Sequence, residues 1–244
     1  MILNSDEWCE LIKRPDWYKF VNKKLQELQK LKSTEPELYE QEKEKIYDFF
    51  QKHLESKNIF LGTTGKNWDL ERKPVDTVVI HHTSNKPGIS KERLSAIELF
   101  RLYSSVYADS KSGEDPEVYN KPVYSGHFRN GRQMFWAYHW LIRSDGSQER
   151  LLLDQEIGWQ SGNWNINCRS IAIVFDNDFE NSRPGNLELE SAAALIRLKY
   201  CLVPKNRIFG HREVNSSTVC PSNKFLPTQN SIGWKEELLA LIYK

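Results

Sequence analysis

The chain has 244 residues, of which 39% are apolar and 27% charged, and a formal net charge of +1. This is the ordinary balance of a globular domain in water. No long basic run offers a nucleic-acid footprint, and no apolar stretch is long enough to span a bilayer. The length fits one sizeable domain with an appendage, or two small domains. Eight Trp, ten Tyr and eleven Phe exceed what a minimal core needs; large rings bury well, so most of them are assigned to core. The four cysteines, Cys9, Cys168, Cys201 and Cys220, show no CxxC pairing. They are read singly rather than as a disulfide framework, Cys9, Cys168 and Cys201 as small buried apolar groups. Met1 to Arg14 has neither a basic n-region nor an apolar h-region, so no standard secretory signal is expected. The expected location is the cytoplasm, or outside after lysis or by a non-standard route.

In chain order, residues 1 to about 60 read as a helical appendage. Trp17, Phe20, Val21, Leu25, Leu28 and Leu31 form one apolar stripe at helical spacing, and Tyr39, Ile46, Phe49, Phe50 and Leu54 a second. Thr34-Glu35-Pro36 marks a stop and a new start, with Pro36 in a first turn. The remaining Lys and Glu of this region make a solvated face. Asn58 to Pro74, with Gly62 and Gly65, reads as a linker. The expected division is therefore an appendage over 1–60 and a main domain over 61–244.

Thr77-Val78-Val79-Ile80 is a β-branched run that predicts a buried strand ending at His81-His82. Residues 90–108 read as a helix and 109–135, with Gly113, Pro116, Pro122, Gly126 and Gly131, as a long loop. Trp136 to Arg143 alternates as a strand carrying Tyr138, turns at Ser144-Asp145-Gly146-Ser147 and returns over 148–153. Ser170 to Phe175 is another buried strand, Asn181 to Asn186 a loop, and Leu187 to Val203 a helix. Arg207-Ile208-Phe209 is a short strand delivering Gly210-His211, and Trp234 to Tyr243 is a closing amphipathic helix. The pattern predicts an α/β fold: a mixed central β-sheet flanked by helices, with the helical N-terminal region outside it.

Three residues carry candidate chemistry. His81 ends a buried strand, where α/β proteins place functional side chains, although a single histidine there reads equally well as structural. His211 ends a second strand, and nine residues later Cys220 follows a polar Ser-Ser-Thr run that suits a ligand better than a buried thiol. Imidazole nitrogen and thiolate sulfur are zinc donors, and three of them with one open position make a catalytic site. His127 and His53 read as surface residues, and His139 as a core residue pairing with a backbone carbonyl.

Val79-Ile80-His81-His82-Thr83, Tyr138-His139-Trp140-Leu141-Ile142 with Asp145-Gly146, Ser170-Ile171-Ala172-Ile173, Gly210-His211-Arg212-Glu213-Val214 and Cys220-Pro221 stand in one order. With the Trp-rich segment Gly158 to Asn165, they resemble the zinc-dependent N-acetylmuramoyl-L-alanine amidases, which include phage endolysins and the peptidoglycan recognition proteins. The resemblance spans roughly residues 70 to 230. It implies His81, His211 and Cys220 as zinc ligands and Tyr138 as the tyrosine facing the reacting centre. Thr218 stands at a position that is Lys in some phage enzymes and Thr in recognition-protein amidases. His82 is implied beside the site as a substrate-binding candidate rather than a ligand, and Trp159, Asn163 and Trp164 as candidates for a sugar–peptide groove, with a packed loop as the equal alternative. The implied reaction is hydrolysis of the bond between N-acetylmuramoyl and L-alanine in peptidoglycan or muropeptides, with Tyr138 and Thr218 as hydrogen-bond donors to the oxyanion. The chain departs from the family at Val174, where a recycling branch has Glu, and at Gln160, where His is common. Glu213 and His139 are the general-base candidates by position. Two other readings compete: a non-catalytic peptidoglycan-binding module on the same fold, and a structural zinc closed by a fourth ligand from His82 or His139.

Overall fold

The computed structural model describes residues 5–109, 115–229 and 231–244. Gly113 of the expected loop and residues 1–4 of the expected helical region lie outside them. The chain forms two compact units, Met1–Asn67 with Ser90–Phe135, and Trp68–Ile89 with Trp136–Lys244. The boundary between these units is not the one drawn at residue 60, because the segment 90–135 groups with the N-terminal helices.

In the first unit, α1 (Ser5–Leu11), α2 (Trp17–Thr34) and α3 (Pro36–Glu55) precede α4 (Lys91–Glu98), which runs through a π-helical turn at Leu99–Tyr103 into α5 (Ser104–Ala108). Pro36 opens α3 in its first turn, where its missing N–H costs nothing. Ser90 caps α4 by accepting the Arg93 N–H at 3.0 Å. The helices pack α2 on α3 and α5, and α3 on α4. Their core is aromatic: Trp8, Trp17, Tyr18, Phe50, Phe100 and Tyr107 are essentially inaccessible to solvent. The rings meet mostly edge to face, as Trp8 on Phe50 at 6.1 Å and Tyr47 on Phe100 at 5.8 Å. Much of the aromatic excess is thus core.

The expected loop over 109–135 is corrected at its end, where β2 (Phe128–Arg129) and β3 (Arg132–Gln133) form a small hairpin. Asn130 and Gly131 between them both have positive φ, 52° and 70°, as a two-residue type I′ turn requires. His127, expected at the surface, is only 3% exposed, because the hairpin folds back and Met134 N–H donates to its carbonyl. His53 is half-buried against Phe49, with ring centroids 4.3 Å apart.

The second unit holds a five-stranded mixed sheet. Its strands are β1 (Thr77–His82), β4 (Trp140–Ile142), β5 (Gln148–Arg150), β6 (Ser170–Phe175) and β7 (Ile208–Gly210). The order is β5-β4-β6-β1-β7, parallel except for β5, which is antiparallel to β4 through the Asp145-Gly146 turn. β1 and β6 are buried along their whole length, which is why they read as continuous apolar runs rather than alternating ones. One face, with Val78, Ile80, Ile171, Ile173 and Phe175, joins a core built with α7 (Asn186–Lys199) and α9 (Trp234–Ile242). The sequence-based α/β class, a mixed central sheet flanked by helices with a helical N-terminal region, is the observed one.

Two departures in this unit have physical causes. The expected strand 136–143 narrows to β4: the His139 N–H still donates to the Ala172 carbonyl at 2.9 Å, but the Ala172 N–H goes to His139 Nδ1 at 3.1 Å in place of a backbone acceptor. Tyr138 therefore stands just before the strand. After β7 the chain does not run on as loop but turns into α8 (His211–Val214), whose start is capped when the Glu213 carboxylate accepts the Gly210 N–H at 2.7 Å. The four cysteines are free; Cys168 is buried, Cys9 half-buried, and Cys201, expected to be buried, is exposed where the chain leaves α7.

Candidate metal centre

Strand alternation separates the adjacent histidines of β1. His82 follows the face of Val78 and Ile80; its Nδ1 accepts the Phe179 N–H at 2.8 Å, and its Nε2 meets Ser84 Oγ at 3.1 Å. Both ring nitrogens are spent. His81 points to the other face and is 1% exposed. β7 is the parallel neighbour of β1, so His211, one residue past its end, emerges at the same edge of the sheet. Gly210 makes this possible: a Cβ there would lie 2.5 Å from Cε1 of Phe225. Behind α8 the chain returns, and Arg212 N–H donates to the Cys220 carbonyl at 2.7 Å.

The result is one cluster. The donor atoms of His81, His211 and Cys220 all lie within 4.8 Å of one another. Cys220 Sγ is 3.6 Å from His81 Nδ1, and the two imidazole rings are 4.7 Å apart between centroids. Tetrahedral zinc, about 2.0–2.3 Å from nitrogen and sulfur ligands, sets ligand–ligand separations of roughly 3.3–3.7 Å. The Sγ–Nδ1 distance fits one edge of that tetrahedron. His211 Nε2 is buried and has no hydrogen-bond partner among the described residues. A buried ring nitrogen without a partner is costly unless something outside the chain takes its lone pair.

Electrostatics suit the same use. Burial, then the neighbouring His211, push the pKa of His81 well below the ordinary value of 6.5. Burial lowers His211 to about 4, opposed by its hydrogen bond to the Ser161 backbone. Both imidazoles are therefore neutral at pH 7, as metal ligation requires.

The structure places the other sequence candidates unevenly. The Tyr138 ring lies 5.1 Å from His81 between centroids. Thr218 Oγ accepts the Cys220 N–H at 3.1 Å, so its own hydroxyl proton is not used in that bond. Asn163 caps α6 (Trp164–Asn167), its side chain accepting the Ile166 N–H at 3.3 Å. Trp159 is buried edge-on to Trp68, and Trp164 packs against Trp68 while its Nε1 donates to Glu71 at 2.6 Å. Both general-base candidates are engaged by the chain: Glu213 accepts from Gly210 and pairs with Lys235 at 2.7 Å, and His139 spends Nδ1 on Ala172 and Nε2 on the Glu156 carbonyl at 3.0 Å. Gln160, noted in the sequence only as a departure, proves to contact His81 directly, Oε1 to Nε2 at 2.5 Å. No local pattern marks such a pair, 79 residues apart.

The sequence profile of the N-acetylmuramoyl-L-alanine amidase family, Amidase_2, matches residues 71–223, well over half of the chain. The chain belongs to this family. All three clustered ligand candidates, Tyr138 and Gln160 fall within the matched span. Among solved structures, the chain is similar to the N-acetylmuramoyl-L-alanine amidase LysC from Clostridium intestinale URNW, at 18% identity and a TM-score of 0.47, covering 74% of this chain and 91% of that one. It is also similar to the Ph2119 endolysin from Thermus scotoductus MAT2119 bacteriophage Ph2119, at 15% identity and a TM-score of 0.42, covering 74% and 90%. Drosophila PGRP-LB matches at 19% identity and a TM-score of 0.39, covering 67% and 82%. No curated protein matches the chain. No helix of the described residues is long and apolar enough to cross a membrane.

Proposed function

We propose that this amidase-family chain binds zinc through His81, His211 and Cys220 and hydrolyses the amide bond between N-acetylmuramoyl and L-alanine in peptidoglycan or its fragments. The observation that carries this reading is how the buried imidazoles are used. His211 Nε2 lacks a partner at the cluster, while His82 and His139 have both nitrogens engaged elsewhere. A closed structural site needs a fourth protein ligand, and neither of those two histidines has an atom to give. Three ligands and an open position remain, which is the catalytic arrangement.

Zinc, when bound, supplies Lewis acidity that polarises a carbonyl and activates water near neutral pH. The chain's own groups do the rest. The two imidazoles enter neutral and only the Cys220 thiolate adds negative charge, so the centre keeps net positive charge. Tyr138, beside His81, and Thr218, beside Cys220, are the hydroxyl donors to the oxygen that gains charge on attack; one such donor is worth about 10²–10³ in rate. Of the substrate-binding candidates, His82 spends both ring nitrogens internally, Asn163 commits its side-chain oxygen to the Ile166 N–H, and Trp159 is buried. Trp164, half-buried, retains ring surface for stacking against a sugar or peptide.

The test is mass analysis of products from purified peptidoglycan, with metal content measured alongside. The expected products are stem peptides with a new L-alanine amine and glycan with free lactyl carboxylates. Cys220→Ser is expected to lose zinc and product together, and Tyr138→Phe to keep zinc while losing about 10²–10³ in kcat. Zinc bound without any amide cleavage would leave only the binding module. Cleavage that survives Cys220→Ser would remove Cys220 from the ligand set.

A further inference from the structure

The loop between β5 and α6 reaches the cluster through the side chain of Gln160. The Gln160 side chain is 5% exposed and bridges two partners: its Nε2 donates to Ser170 Oγ at 2.9 Å, and its Oε1 faces His81 Nε2 at 2.5 Å. This loop is itself pinned. Ser161 N–H and Oγ–H both reach Asn167 Oδ1, at 3.0 and 2.7 Å. Gly162 has φ of +67°, and a Cβ there would lie 2.5 Å from Asn215 Nδ2 at the far end of the α8 turn that begins with His211.

A neutral imidazole carries one proton on one of two nitrogens, and the partner of one nitrogen decides what the other can do. A carbonyl oxygen accepts only, so opposite His81 Nε2 it requires the proton there. Nδ1 is then a bare lone pair, and Nδ1 is the atom 3.6 Å from Cys220 Sγ. We propose that Gln160 is a positioning residue of the metal centre: its side-chain carbonyl fixes the tautomer and ring angle of His81 and so presets Nδ1 for the metal. This deepens the proposed function and rests on it. Ligating histidines characteristically donate their second N–H to a carboxylate, carbonyl or water, and loss of such a partner costs about 10–100-fold in metal affinity. A carboxamide does this without adding charge. With one thiolate already present, a neutral partner preserves the net positive charge that polarises a carbonyl, whereas a carboxylate would reduce it.

The full chain, stripped of metal, is titrated with zinc against a chelator of known affinity, and the metal-free protein is examined by ¹⁵N-detected histidine NMR. Wild type is expected to bind one zinc and to show His81 as the Nε2–H tautomer. Gln160→Met, which keeps the length of the side chain but removes the acceptor, is expected to bind zinc about 10–100-fold more weakly and to show mixed tautomers. Gln160→Glu restores the acceptor and is expected to bind at least as tightly as wild type. Ser170→Ala releases the far end of the carboxamide and serves as a milder variant, expected to shift affinity in the same direction as Gln160→Met; it answers the question if Gln160→Met does not fold. Wild-type affinity and tautomer in Gln160→Met overturn the proposal and leave the proposed function standing. So does an equal loss in Gln160→Met and Gln160→Glu, which would mean packing alone. A wild-type chain that binds no zinc overturns both.

Discussion

The sheet-bearing unit uses its imidazoles in two opposite ways. At the ends of β1 and β7, His81 spends Nε2 on Gln160 and His211 leaves Nε2 without a partner among the described residues, and both rings gather with Cys220. Within the sheet layers, His82 and His139 spend both nitrogens on the chain itself, each accepting one backbone N–H. Burial does not separate the two sets: His81 is 1% and His139 0% exposed. Nor does charge, since both His81 and His139 are held neutral by burial first. What separates them is the lone pair left over. A histidine with both nitrogens satisfied is a piece of architecture, whereas His211 has a buried nitrogen left open beside two other candidate ligands.

Replacing one histidine from each set breaks the comparison most sharply. His211→Ala is expected to weaken zinc binding by more than the roughly 10–100-fold that loss of an outer partner costs, because a ligand itself is gone. His82→Ala is expected to leave one zinc per chain. It strands the Phe179 N–H instead, and should cost about 1–3 kcal/mol of folding stability. Chelator competition and denaturant melts on the same two proteins read both effects. Zinc lost from His82→Ala would make His82 a ligand and reopen the four-ligand structural site.

The two sets were not equally legible in the sequence. The β-branched run Thr77 to Ile80 announces where His81 and His82 sit, and period-two alternation says that they face opposite sides. It does not say which side is the metal's; that choice came from the family resemblance. His211 and Cys220 were readable from a strand end and a polar loop, and the structure brings both to His81. Gln160 was not, because its partner is 79 residues away and no periodicity links them. The narrowing of the Tyr138 strand was also illegible, since a side chain replaces a backbone acceptor there. The β2–β3 hairpin is the opposite case: Asn130-Gly131 is a strong local turn signal, but it stands within a stretch rich in Gly and Pro.

A second test works within the architectural set, through pH. His139 titrates near 6.5 when unfolded, whereas burial, with the positive charges of Arg72 and Arg150 and against the carboxylate of Asp154, holds it at about 3 in the fold. Its bonds add the reason: Nδ1 already accepts from Ala172, so a proton there would evict a backbone donor. Above pH 6.5 both states are neutral and the group adds no pH dependence. Between 6.5 and 3 only the unfolded chain takes the proton, so stability falls as pH falls, by about 1.4 kcal/mol per unit at most. Metal-free wild type and His139→Asn, melted in denaturant at several pH values across that window, are expected to differ in slope by up to one proton. Equal slopes would mean that His139 protonates in the fold and is not held as the structure holds it.

The same accounting of spent atoms extends beyond histidine, and its smallest effect falls on Asn163. Sequence placed this residue in a sugar–peptide groove or in a packed loop with equal weight. In the structure its side-chain oxygen is committed to the Ile166 N–H at the start of α6, the helix that also carries Asn167, the anchor of Ser161. An N-cap of this kind is worth about 1 kcal/mol, so Asn163→Ala is expected to lower stability by that amount and to leave KM for peptidoglycan fragments within about twofold. Asn163→Asp, which keeps the cap, is expected to restore the stability. A rise in KM of tenfold or more with unchanged stability would show that the side chain serves the substrate, and that a polar atom counted as spent inside the chain is exchanged for a ligand when one arrives. Unchanged KM with lost stability would place Asn163 with His82 and His139, among the residues that hold the loop and sheet in place so that His81, His211 and Cys220 converge.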